Sequence, residues 1–183
     1  NAATNLNEVL ANGNDFTLVD TNAVQLGTST VRGNLNVTTY GPIGSTGAVL
    51  VTGTSTFTAN SGGFGTTTPY LSLTNNNHFT GVTTITVASG YATVKDTGAV
   101  QLGNVSVGTD FTLTTGGAIT QQAATSVVVP QQTSITAGSG NNITLANANN
   151  DFASIRIVSG KDVTLVDKNA ITFGAYNGSS GYS

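Results

Sequence analysis

Thr17-Leu18-Val19-Asp20-Thr21-Asn22-Ala23-Val24-Gln25-Leu26-Gly27 returns as Thr93-Val94-Lys95-Asp96-Thr97-Gly98-Ala99-Val100-Gln101-Leu102-Gly103. It returns again as Thr164-Leu165-Val166-Asp167-Lys168-Asn169-Ala170-Ile171-Thr172-Phe173-Gly174. The copies start 76 and 71 residues apart. The match continues downstream, where Asn34-Leu35-Asn36-Val37 aligns with Asp110-Phe111-Thr112-Leu113, Thr56-Phe57-Thr58-Ala59 with Ser134-Ile135-Thr136-Ala137, and Leu71-Ser72-Leu73 with Ile143-Thr144-Leu145. Upstream, Asn5-Leu6, His78-Phe79 and Asp151-Phe152 share one phase, 73 residues apart. Residues 1–183 therefore read as one segment of about two and a half copies of a 71–76-residue unit, approximately 6–78, 79–151 and 152–183. Self-similarity at a fixed period is the mark of a repeat architecture.

Within a copy, short runs alternate apolar residues with Thr, Ser or Asn, as in Phe16-Thr17-Leu18-Val19, Leu71-Ser72-Leu73-Thr74 and Ile143-Thr144-Leu145. A period of two puts one face inward and one outward. Gly and Asn clusters such as Asn75-Asn76-Asn77 and Gly116-Gly117 break the runs and suit sharp corners. No segment holds a helical apolar spacing. A propeller blade runs roughly 40–50 residues, shorter than this unit, and a Greek-key sandwich has no need of repeated sequence. The expected fold is all-β, a right-handed parallel β-helix (β-solenoid) of about eight to ten coils, with three to four coils per unit. At about 4.8 Å per coil the rod is on the order of 40–50 Å long.

Composition agrees. Thr is the commonest residue at 33 and Asn reaches 20, while charged residues are only 7% of the chain, against roughly 25% in ordinary domains. Thr stiffens a strand and faces outward well. Stacked coils would stack like charges, which accounts for their scarcity. Phe16, Phe57, Phe111 and Phe173 fall at strand positions and are expected in the core. Five cations do not neutralise a phosphate backbone, so nucleic acid is not an expected partner. No run approaches the ~18 apolar residues of a membrane helix, and membrane insertion is not expected either. With no Cys there is no disulfide framework and no thiolate metal site.

A family resemblance adds to this. Asn14-Asp15-Phe16 through Gly27, Ser29-Thr30-Val31-Arg32-Gly33-Asn34-Leu35-Asn36-Val37-Thr38, Gly116-Gly117-Ala118-Ile119-Thr120-Gln121 and Asn141-Asn142-Ile143-Thr144-Leu145 resemble repeats of filamentous haemagglutinin-type adhesins of Gram-negative bacteria. Those proteins are exported by two-partner secretion or as autotransporters. The resemblance weakens after Gly174. It implies a right-handed β-helix in an extracellular or cell-surface shaft, and it transfers no functional residue.

Titratable groups are few. Asp20, Asp96 and Asp167 hold one position in three copies. They are calcium candidates only in the form of a ladder, because calcium wants six to eight oxygens and several carboxylates together. The plainer reading is a turn Asp accepting backbone N–H groups. His78, the single histidine, is expected at an exposed corner. Asp15 with Asp20, and Asp162 with Asp167, form pairs that a polysaccharide-cleaving β-helix would need, but a pair repeated in two copies reads as scaffold. Lys161, Asp162 and Arg156 read as a solvated mixed-charge face. Gly62-Gly63-Phe64-Gly65 lacks the Lys-Ser/Thr of a phosphate loop and reads as a corner. A Thr-rich face that binds ice would need a constant rung length, which the 71 and 76 spacings break.

The expectation is thus a structural or adhesive shaft, not an enzyme, with no cofactor. Its partners are neighbouring β-helix coils of the same or another copy, end to end, with surface glycan or protein as a possible target. The repeat starts in mid-unit at residue 1, so continuation within a longer chain is expected first. Head-to-tail assembly into a filament or sheath is the alternative, and a polysaccharide-binding or -cleaving β-helix the remote one.

Overall fold

The computed structural model describes residues 12–61 and 68–174. Among them every regular element is a β-strand, and every strand pair is parallel. The chain is a parallel β-helix of about eight turns. Each turn has three faces. The first carries Phe16–Asp20, Leu35–Thr39, Ser55–Ala59 and Val82–Val87 in one ladder. On the second, Val24, Ile43, Leu71, Ala92, Phe111, Thr133, Ile155 and Phe173 occupy eight successive rungs. The third carries Ser29–Val31 and Val49–Val51 low in the solenoid, and Val100, Ile119, Ile143 and Val163 higher up.

Alternation sets what fills the interior. Leu18, Val37, Phe57, Ile85, Val105 and Val127 form one inward column. Leu73, Val94, Leu113, Ile135 and Ile157 form another. The outward partners are mostly Thr, Ser and Asn. Phe57 and Phe111 are buried as expected, and Phe57 meets Phe79 edge-on at 5.6 Å. Two expected core aromatics differ. Phe16 is only partly buried, and Phe173, which among the described residues pairs with Ile155 alone, is 67% exposed. Phe79 and Phe152 are the fully buried rings instead. Where the third face turns to the first, Gly53 lies so close to the Gly33 carbonyl, and Gly81 to that of Gly53, that a Cβ has no room. Gly62-Gly63-Phe64-Gly65 lies outside the described residues.

The sequence repeat does not stack on itself. By the alignment of the copies, Phe16, Ala92 and Val163 are equivalent, as are Val24 and Val100. Yet Ala92 sits in the column of Val24, and Val163 in the column of Val100. From Phe16 to Ala92 the chain crosses ten faces, and from Ala92 to Val163 ten more. Ten is three turns of three faces plus one. Each copy is therefore three and a third turns, within the expected three to four coils, and it begins one face further round than the last. Equivalent residues of successive copies therefore do not lie above one another. The five-residue strands Phe16–Asp20, Leu35–Thr39 and Ser55–Ala59 make the first face wide. In the second copy the wide strands Ala92–Asp96 and Phe111–Thr115 lie on the second face, above the three-residue Val24–Leu26 and Ile43–Ser45.

A wide strand stacked on a narrow one must lose register. Shifts fall between Thr83 and Ile85 and between Val94 and Asp96, where the first copy meets the second. Such bulges absorb surplus residues without breaking the sheet. Another pair of shifts interrupts the ladder between Val127–Thr136 and Asp151–Ser159.

Not every inward position is apolar. The hydroxyls of Ser55, Thr83 and Thr133 are buried without a hydrogen-bond partner. Leaving a buried polar group unpaired costs free energy that an apolar group of the same shape avoids. Thr133→Val is expected to stabilise the solenoid by about 1 kcal/mol, read as a higher denaturant midpoint and thermal transition. An unchanged or lower midpoint would contradict the unpaired hydroxyl.

Candidate functional site

Polar side chains gather in two places, the corners and the outer side of the wide faces. At the corners the second and third copies build the same clamp. Asp96 is buried, and its Oδ2 accepts the Phe79 N–H of the coil below at 2.6 Å while Oδ1 accepts the Gly98 N–H at 2.7 Å. Asp167 repeats this with the N–H groups of Phe152 and Asn169. Asp20 accepts the Asn22 N–H at 2.7 Å. Asp20 and Asp96 end strands on the first and second faces and Asp167 follows the strand Val163–Leu165 on the third, so the three do not stack in one column. Among the described residues no three His, Cys, Asp or Glu side chains lie together as a metal site.

His78 is exposed as expected, but its backbone is extended and forms no turn. It lies in the strand Leu71–Phe79, which bends continuously from the second face to the third. Its ring is half-exposed, with Nδ1 3.3 Å from Asp96 Oδ1. The bend is held by Asn77, which sequence reading placed in a corner cluster without giving it a bonding role. Asn77 is fully buried; its Oδ1 accepts the Val49 N–H from the coil below, and its Nδ2 donates to the carbonyls of Leu73 and, in the coil above, Lys95. Asn150, also fully buried, does the same with Val127, Leu145 and Val166. The signal was present in the sequence, since Asn77-His78-Phe79 and Asn150-Asp151-Phe152 match at the 73-residue phase.

The remaining charges mostly pair locally. Lys161 and Asp162 form an exposed ion pair at 3.9 Å, whereas Arg156 stacks on Ser134 in the second face. Asp15 is exposed, and its Oδ1 accepts the Asn34 N–H at 2.7 Å. Lys168 meets Asp151 at 2.7 Å. The hydrogen bond from Lys168, followed by that from the Asn169 amide, holds the Asp151 carboxyl below its ordinary value of 3.8.

The outer side of the second face carries a shallow groove of about 330 Å³ lined by Tyr91, Thr93, Asp110, Thr112, Gln132 and Ser134. These residues come in pairs from three successive coils. Tyr91 stacks parallel to Tyr70 of the coil below, with ring centroids 5.2 Å apart. Asp110 Oδ1 accepts the Gln132 N–H at 3.0 Å, and Gln132 Nε2 donates to the Gly174 carbonyl at 3.0 Å.

A family model described as repeats of unknown function, DUF5649, matches twice, at residues 13–86 and 89–159. The chain belongs to the DUF5649 repeat family. Comparison with curated proteins gives no match, nor does comparison with solved structures. The two DUF5649 matches begin 76 residues apart, the spacing of the first two copies in the sequence itself. A DUF5649 repeat is thus, in this chain, ten strand segments and three and a third turns of solenoid.

Two measurements check the corner chemistry. Asn77→Ala removes the acceptor of the buried Val49 N–H and the donor to the Leu73, Asn75 and Lys95 carbonyls, and is expected to destabilise by about 3 kcal/mol. The exposed Asn36→Ala should stay within about 0.5 kcal/mol. Equal denaturant midpoints for the two variants would remove Asn77 from this role. For Asp151, a lowered folded value means its stabilisation is present above the unfolded carboxylate pKa and is lost as pH falls through the folded one. Lys168→Met should raise the Asp151 pKa seen by NMR titration toward the ordinary value. The stability change should be under about 1 kcal/mol, because the pair is partly solvated.

Proposed function

We propose that this chain is a shaft segment of a large bacterial surface protein of the haemagglutinin-type adhesin kind. It stands outside the cell and acts as a structural and adhesive rod, not as an enzyme. The observation that carries the reading is the ten-on-three geometry of the repeat. A copy that ended after whole turns would present one unchanged set of faces. A copy that ends one face on hands its successor a shifted rung, and the successor continues the helix without closing it. Backbone hydrogen bonds between coils run along the axis throughout, as suits a stiff rod.

Head-to-tail stacking of copies of the chain, which would make the protein a filament or sheath subunit, is the alternative reading.

The native polypeptide distinguishes them. A source polypeptide many times larger than 18.4 kDa, labelled by antibody on intact cells, is the expected result. A native polypeptide near 18.4 kDa that forms fibres would replace the shaft by the filament. Confinement to the cytoplasm would overturn both.

A further inference from the structure

The groove on the second face departs from the repeat that builds it. By the alignment of the copies, Tyr91, Asp110 and Gln132 stand where the first copy has Asp15, Asn34 and Thr54. In that copy the first two side chains cap the next coil: Asp15 Oδ1 accepts the Asn34 N–H and Asn34 Oδ1 accepts the Thr54 N–H. Asp110 keeps this duty toward Gln132. Tyr91 does not, since a phenol ring replaces the capping carboxylate. An outward position has exchanged a scaffold hydrogen bond for a flat aromatic surface, itself 41% exposed and braced by Tyr70.

We propose that this groove binds a neutral oligosaccharide, with Tyr91 as the platform for a sugar ring and Asp110 and Gln132 as hydrogen-bonding partners for its hydroxyls. The apolar face of a pyranose packs on an aromatic ring, while its rim of hydroxyls needs both acceptors and donors. The groove supplies both kinds. The Asp110 carboxylate accepts, the Gln132 amide does either, and Thr93, Thr112 and Ser134 add hydroxyls. Each planar group is already oriented, Asp110 by the Gln132 N–H and Gln132 by the Gly174 carbonyl. Groups fixed beforehand lose little freedom on binding. The volume of about 330 Å³ is at the lower end for small-ligand sites.

Other ligand classes fit less well. The lining itself holds a carboxylate and no cation, with Arg156 one rung beyond Ser134 at its edge, so the groove's centre offers nothing to pair with a phosphate. An extended peptide adds to an open sheet edge, but Ala92–Asp96 and Phe111–Thr115 are each paired on both sides. The proposal rests on the surface reading for its supply of glycan, whereas the groove's chemistry is independent of it.

The test is calorimetry of the whole folded chain against cellohexaose, xylohexaose, maltohexaose and chitohexaose at millimolar concentration, with circular dichroism to verify the fold of each variant. At least one hexasaccharide is expected to bind. Tyr91→Ala should weaken that binding at least about tenfold, while Tyr91→Phe retains it within about threefold and Asp110→Asn weakens it. Tyr40→Ala, an exposed tyrosine away from the groove, should leave it unchanged. The proposal is overturned if no hexasaccharide binds, if Tyr91→Ala binds like the parent, or if Tyr40→Ala loses as much. Because binding is read on purified protein, failure here leaves the native-mass and cell-labelling results to decide the shaft reading separately.

Discussion

Each strand directs its backbone N–H and C=O groups along the solenoid axis, so every coil depends on the next for its hydrogen bonds. This constraint fixes much else. Rungs must repeat at strand spacing, about 4.8 Å. Corners, where the chain leaves one ladder for another, must find partners for the groups released there. Asn77 and Asn150 answer that need with one amide each, reaching the coil below, their own coil and the coil above. Asp96 and Asp167 complete the clamp from the following coil. These side chains are buried or half-buried because their partners are backbone groups, and a wet corner would let water compete for them.

The same constraint explains how ten segments fit a three-faced helix. A ladder needs a strand above and below, not a matching sequence above and below. Leu71 from the narrow set supports Ala92 from the wide set, because both offer inward apolar side chains and extended backbone. The surplus length of the wide strand goes into the shift between Val94 and Asp96. The repeat is therefore free to have a length that is not a whole number of turns. Such a length sends the wide face round the shaft, one face per copy.

Strand alternation, corner glycines, the three-to-four-coil unit and the β-helix itself were legible in the sequence, because they are local patterns or follow directly from the period. The face on which a copy starts was not. It depends on the count of segments per turn, and a run such as Leu71–Phe79 conceals two faces in one continuous strand. His78 was assigned to a turn for that reason: three asparagines read as one, but the Asn77 amide supplies the corner bonding while the backbone stays extended. The threonine rule was also partial. Thr39, Thr83, Thr115 and Thr133 point inward, since in-or-out follows parity along the strand and not residue type.

Parity also says where a repeat scaffold leaves room for specialisation. Inward positions are fixed by the narrow interior and corner positions by hydrogen bonding between coils. Outward positions at the start of a wide strand are less strictly held: Asp110 keeps its bond to the next coil, whereas Tyr91, at the equivalent position, carries a ring instead. Tyr91, Asp110 and Gln132 are 19 and 22 residues apart, too far for a sequence motif, yet they occupy adjacent rungs. A cluster of that kind is visible only once the coils are stacked. The ten-segment repeat gives it a further consequence. A feature carried at the same outward position of every copy would emerge on three faces in turn, and a shaft built this way would meet its surroundings from all sides without any single copy changing its fold.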